Sequence, residues 1–198
     1  MFPLFESLCV LDGNILHTEW HQLRFQQAYS TLFGKPPTFN LVDGIQVPKK
    51  FSQGKVKLKI SYDAAHKEHY FQHYKMQNIQ QIQLVAVENL DYTHKYSKRE
   101  NLELLFAQRG HCDDVLIVRN GWITDSSYAN VVFYDGAHWW TPAVPLLAGT
   151  CRARLLSKGV ILEKPIHVKD LKLFNGLKLI NALRDFDQPT IPITSLLD

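Results

Sequence analysis

Long apolar runs, clustered cysteines and a strong charge of either sign are all missing from this 198-residue chain. The longest hydrophobic stretches break off well short of membrane-spanning length, so an integral helical membrane protein is not expected. The opening MFPLFESLCV has no basic region and carries Glu6 inside its apolar stretch, which argues against a secretory signal. Cys9, Cys112 and Cys151 lie far apart, form no C-x-x-C pair and are odd in number, which suits free thiols in a reducing cytoplasm. Net charge is only +3, from 22 Lys and Arg against 19 Asp and Glu, and no basic stripe interleaves with aromatics. A nucleic-acid partner is therefore a poor expectation. G-x-x-x-x-G-K-[ST], G-x-G-x-x-G and G-x-S-x-G are absent too, leaving phosphate-loop, dinucleotide and serine-hydrolase chemistry without support. What remains, at 45% apolar and 21% charged residues, is a soluble globular chain of ordinary balance.

Periodicity predicts an α+β fold. FESLCVLDGNIL reads as two strands about an Asp12-Gly13 turn. TEWHQLRFQQAYSTLFG reads as a helix, with Thr18 as cap, Trp20, Leu23, Ala28 and Leu32 at helical spacing, and Gly34 at its end. KVKLKISYD alternates strictly, and HYFQHYKM and IQLVAVE also read as strands. A boundary near residues 88 to 94 would divide a small first lobe, 1–90, from a second lobe, 91–198. The second lobe opens with the helix SKRENLELLFAQRG. It continues through hairpins at Asn120-Gly121 and Asp135-Gly136, a helix GTCRARLLSKG, a strand VILEKPIHV and a helix KDLKLFNG.

His66, His69 and His73 would share a face only on a helix. The neighbouring aromatics alternate better as a strand, which separates His66 from His69, so no metal site is expected. The remaining polar concentration is WITDSSYANVVFY. Taken alone, Asp125, Ser126 and Ser127 read as turn capping, Asn130 as a loop-backbone partner and Thr150 as a helix cap. The Gly149-Thr150-Cys151 helix start equally offers backbone N–H groups to an anion.

Taken together, Asp125, Asn130 to Phe133, Thr141-Pro142 and Gly149 to Arg152 form a pattern that resembles class IV (fold-type IV) pyridoxal-phosphate enzymes. That group includes branched-chain and D-amino-acid aminotransferases and 4-amino-4-deoxychorismate lyases. His21 to Arg24 resembles the family's H-x-x-R helix, and YTHKYSKRENLELL its lysine segment, so the likeness spans nearly the whole chain in order. It implies a two-lobed D-amino-acid aminotransferase-like architecture with a shortened N-terminal lobe, pyridoxal 5'-phosphate as cofactor between the lobes, and a homodimer. Lys95 would carry the cofactor as a Schiff base, with Lys98 its nearest competitor. Arg24 and the N–H groups of Thr150 and Cys151 would hold the phosphate. Asp125 would face the pyridine nitrogen, where Glu is the commoner residue, and Ser126, Asn130 and Gly149 would complete the cofactor site. The substrate-binding residues do not transfer. Lys57, Lys59 and Tyr62 are candidates on charge and face alone, against the alternative of lysines guarding an exposed edge strand. The small-lyase look favours a 4-amino-4-deoxychorismate lyase serving folate synthesis. A branched-chain or D-amino-acid aminotransferase, or a cofactor-binding protein without turnover, stays open.

Overall fold

The computed structural model describes residues 2–197, which fall into two compact units. The first comprises Met1–Met76 and His94–Lys98, and the second Gln77–Thr93 and Arg99–Asp198. No described helix is long and apolar enough to cross a membrane.

In the first unit, β1 (Leu4–Leu11), β2 (Asn14–Ile15), β3 (Lys55–Tyr62) and β4 (Lys67–His73) form an antiparallel sheet ordered β2-β1-β3-β4. Positive φ at Asp12 (47°) and Gly13 (81°) closes the β1–β2 hairpin, a conformation these two residue types tolerate. Alternate residues of β1 and β3 (Leu4, Leu8 and Val10; Val56, Leu58, Ile60 and Tyr62) build the core with Phe25, Ala28 and Tyr29 of helix α1 (Thr18–Phe33). Two details of the expected helix change. Thr18 is the first helical residue and His17, in the left-handed region, takes the cap position; Gly34 closes the helix as expected. The buried face is His21, Phe25, Ala28 and Tyr29, whereas Leu23 and Leu32 are exposed. The apolar spacing misled because a buried ionisable residue, His21, leads the true face. β3 is also no edge strand, being paired on both sides. Residues 94–98 return to this unit, where the Phe5 N–H donates to the Lys95 carbonyl at 3.1 Å and Tyr96 bridges Leu4.

The second unit holds β5 (Ile82–Val87), α2 (Glu100–Ala107), β6 (Asp114–Arg119), β7 (Trp122–Ser126), β8 (Asn130–Tyr134), β9 (Trp139–Pro142), α3 (Thr150–Ser157), β10 (Leu162–Lys164), β11 (Gly176–Ile180), β12 (Ile191–Pro192) and β13 (Leu196–Leu197). Its sheet runs β10-β9-β8-β7-β6-β5-β13, with β11 paired to β8 and β12. β5 thus belongs with the second unit, although a division at residue 90 had put it in the first. KDLKLFNG forms a 3-10 turn (Val168–Leu173) rather than an α-helix, and VILEKPIHV is strand only at β10. One feature positions the polar cluster. β11 lines one edge of β8 along its length, so β7 and β9 divide the other edge between them. β7 meets β8 at a single pair, Asp125 opposite Asn130, where the two strands part.

Candidate functional site

Each unit carries a buried polar constellation. In the first, Glu6 lies on the core face of β1 and is 1% exposed, beneath His21 and Arg24 on the first turns of α1. Arg24 donates to it through two nitrogens, Nε to Oε1 at 2.8 Å and Nη2 to Oε2 at 2.6 Å, while His21 Nδ1 lies 2.7 Å from Oε2. Burial alone would raise the Glu6 carboxyl, but the Arg24 charge and the His21 hydrogen bond outweigh it and hold the carboxyl at about 2. Burial pushes His21 below its ordinary value; the bond to Glu6 opposes this, and the charges of Arg24 and Lys95 add to it. A neutral imidazole donating Nδ1–H to a carboxylate satisfies both groups. Glu6 thus fixes the guanidinium through Nε and Nη2, and the planar charge of an arginine is a chemistry that suits a phosphate. Lys95 sits on the returning segment with its ammonium 4.7 Å from the Phe5 ring centroid. Lys98, its competitor by sequence, is exposed.

The second constellation gathers at the parting of β7 and β8. Asp125 is 5% exposed and accepts from Asn130 Nδ2 at 2.7 Å on one oxygen and from the Leu147 N–H at 2.9 Å on the other. Asn130 Nδ2 also donates to the Leu147 carbonyl at 2.9 Å. A Cβ on Gly149 would stand 1.9 Å from Asn130 Oδ1, so this position tolerates only glycine while Asn130 stays in place. Gly149 is the N-cap of α3, and Thr150, expected as cap, is its first helical residue. The Ala153 N–H donates to the Gly149 carbonyl at 2.9 Å, and the approach of Gly149 to Asn130 sets the helix start with its positive dipole end beside Asn130. Ser126 turns away from this group: its Oγ accepts from the Ala129 N–H at 3.1 Å and caps the tight turn between the strands. Burial and the neighbouring Asp185 push the Cys151 thiol up to about 12, and its Sγ meets Asp185 and Arg154.

Burial drives Asp125 up to about 6; its hydrogen bonds to Leu147 and Asn130, and the Arg152 charge, offset only part of this. The Asn130 amide and the Leu147 N–H that reach this carboxylate are neutral, so a protonated ring nitrogen beside it would favour its ionised form. Taken unit by unit, the donor sets fit pyridoxal phosphate: in the first, the Arg24 guanidinium suits an anion, and in the second, a glycine-capped helix start suits an anion and a buried carboxylate suits a ring nitrogen. Sequence reasoning missed Glu6 and the Leu147 N–H. Glu6 could have been found, since a charged residue on the apolar parity of a strand demands a buried partner. Leu147 acts through its backbone and leaves no signal in residue type.

Residues 3–195 match the amino-transferase class IV family. The chain belongs to that family. Pyridoxal phosphate is the family's cofactor. An uncharacterized protein of Haemophilus influenzae is 37% identical over 185 residues, covering 92% of this chain and 98% of that one. A crystal structure from Haemophilus somnus 129PT, provisionally named a 4-amino-4-deoxychorismate lyase, superposes with a TM-score of 0.83 at 29% identity, over 94% of this chain and 98% of the other. The Escherichia coli branched-chain amino acid aminotransferase shares the fold, with a TM-score of 0.69 at 12% identity, over 98% of this chain and 76% of its own. The class IV chain is thus an enzyme of the aminotransferase and lyase group with a mixed α and β fold.

Proposed function

We propose that this protein is a pyridoxal-phosphate-dependent 4-amino-4-deoxychorismate lyase, which releases pyruvate and leaves 4-aminobenzoate for folate synthesis in the cytoplasm. The observation that supports this reading most is the likeness to the Haemophilus somnus protein, which covers almost the whole of both chains. In this reading Arg24, pinned by Glu6, holds the phosphate together with the backbone N–H groups at the Gly149-Thr150-Cys151 helix start. Asp125, set in place by Asn130 and Leu147, faces the ring nitrogen, and Ser126 shapes the turn that carries it. When bound, the cofactor withdraws electron density from the amine-bearing carbon of the substrate. Lys95 would hold the cofactor, and its Nζ would take the proton from that carbon. The functional assembly in this reading is a homodimer, as in the family at large.

The test is direct. Protein loaded with pyridoxal phosphate and given aminodeoxychorismate, with no keto acid present, is expected to release pyruvate and 4-aminobenzoate in equal amounts. Turnover that requires a keto-acid acceptor would replace the lyase by an aminotransferase. Bound cofactor with neither activity would mark a protein without turnover.

A further inference from the structure

Strand parity gives the first sheet two chemically different faces. One face, with Leu4, Leu8 and Leu58, meets α1. The opposite positions, Phe5, Ser7 and Cys9 on β1, stand across from Ser61, Lys59 and Lys57 on β3. Lys59 is half-buried there. Its ammonium lies 4.7 Å from the Phe5 ring centroid and 5.8 Å from that of Tyr70, its cross-strand partner on β4. The Lys95 ammonium lies 4.7 Å from the same Phe5 ring, so the two cations are separated by no more than twice that distance. Among the described residues Lys59 makes no ion pair; Glu68 shares its face, opposite Ser61, but is exposed and not within salt-bridge range of it. The Lys59 ammonium over the Phe5 ring, with Ser7 and Ser61 as neighbouring hydroxyls, makes a surface that is apolar at its centre and anion-seeking at its rim. Aromatic faces hold a cation but leave its N–H groups able to meet an acceptor.

We infer that Lys59 recognises a substrate carboxylate. That carboxylate is separated from the reacting amine by a rigid ring, and Phe5 forms the wall along which the ring lies. An α-amino acid places one carbon between its amine and carboxylate, whereas 4-aminobenzoate places a whole ring between them. The latter suits a reactive lysine at the amine and a separate cation at the carboxylate, both near one aromatic side chain. Lys59 is then the specificity-determining residue of the site that Lys95 serves, and the inference rests on the proposal that Lys95 is the reactive lysine.

Full-length protein loaded with pyridoxal phosphate is titrated with 4-aminobenzoate and with aniline, which differ only in the carboxylate, and the cofactor's visible absorbance is followed. Lys59→Met is expected to weaken 4-aminobenzoate about tenfold or more and to leave aniline unchanged, while Lys59→Arg restores most of the loss. Equal weakening of both ligands, or of neither, would overturn the inference. A Lys95→Ala protein that still fixes the cofactor on borohydride reduction would instead overturn the reading beneath it. That result is independent of the Lys59 outcome.

Discussion

At the scale of single residues, buried carboxylates dominate, and the two of interest respond to pH in opposite senses. Glu6 is held at about 2, below its ordinary value, so it stabilises the fold above pH 4.5 and that contribution is lost as pH falls through about 2. His21, held below 6.5, adds to the same trend because the unfolded chain takes up a proton first. Glu6→Gln is therefore expected to lower stability at pH 7 and to flatten its fall below pH 4.5, as read by urea unfolding across pH 3 to 7. Asp125 is raised to about 6, so its ionisation costs the cofactor-free protein stability, on the order of 2–3 kcal/mol, as pH rises from 3.8 past 6. Asp125→Asn should remove that slope, and bound cofactor should shrink it in the wild type. Gly149→Ala is expected to cost about 1–3 kcal/mol through its collision with Asn130, with most of the loss absent in an Asn130→Ala background. Additive losses in that double-mutant cycle would separate the two residues.

Among elements, hairpins were legible and helix faces were not. Asp12-Gly13 and Asn120-Gly121 announced turns, and both adopt the positive φ that two-residue hairpins need. Gly121 has a second constraint, since a Cβ there would stand 2.6 Å from His167 Nε2. Gly121→Ala should consequently lower the melting temperature by several degrees, whereas Asn120→Gly should be close to neutral. The face of α1 was misread because His21 looks polar in sequence and becomes buried only when Glu6 partners it across the fold. The register of β3 was legible from strict alternation, but its central place in the sheet was not. Lysines at alternate positions look alike on an edge strand and on a central one. KDLKLFNG carries helical periodicity yet forms a 3-10 turn, since six residues hold too few i→i+4 bonds to repay nucleation.

For the whole molecule, the order of motifs along the chain revealed more than any element did. Lys95, Arg24, Asp125 and Gly149 were each ambiguous alone, and only their sequence together pointed to the class IV family, to which residues 3–195 belong. What the order could not reveal was the support beneath each group: Glu6 under Arg24, and Asn130 and the Leu147 backbone under Asp125. Such partners are set by where strands part and helices land, and a backbone donor has no residue signature. The central claim is that Lys95 carries the cofactor. Its most direct test is borohydride reduction of the protein loaded with pyridoxal phosphate, followed by peptide mapping by mass spectrometry. A single phosphopyridoxyl label on Lys95, lost in Lys95→Ala, is the expected result. A label on Lys98 or on any other lysine, with Lys95 unmodified, would contradict it.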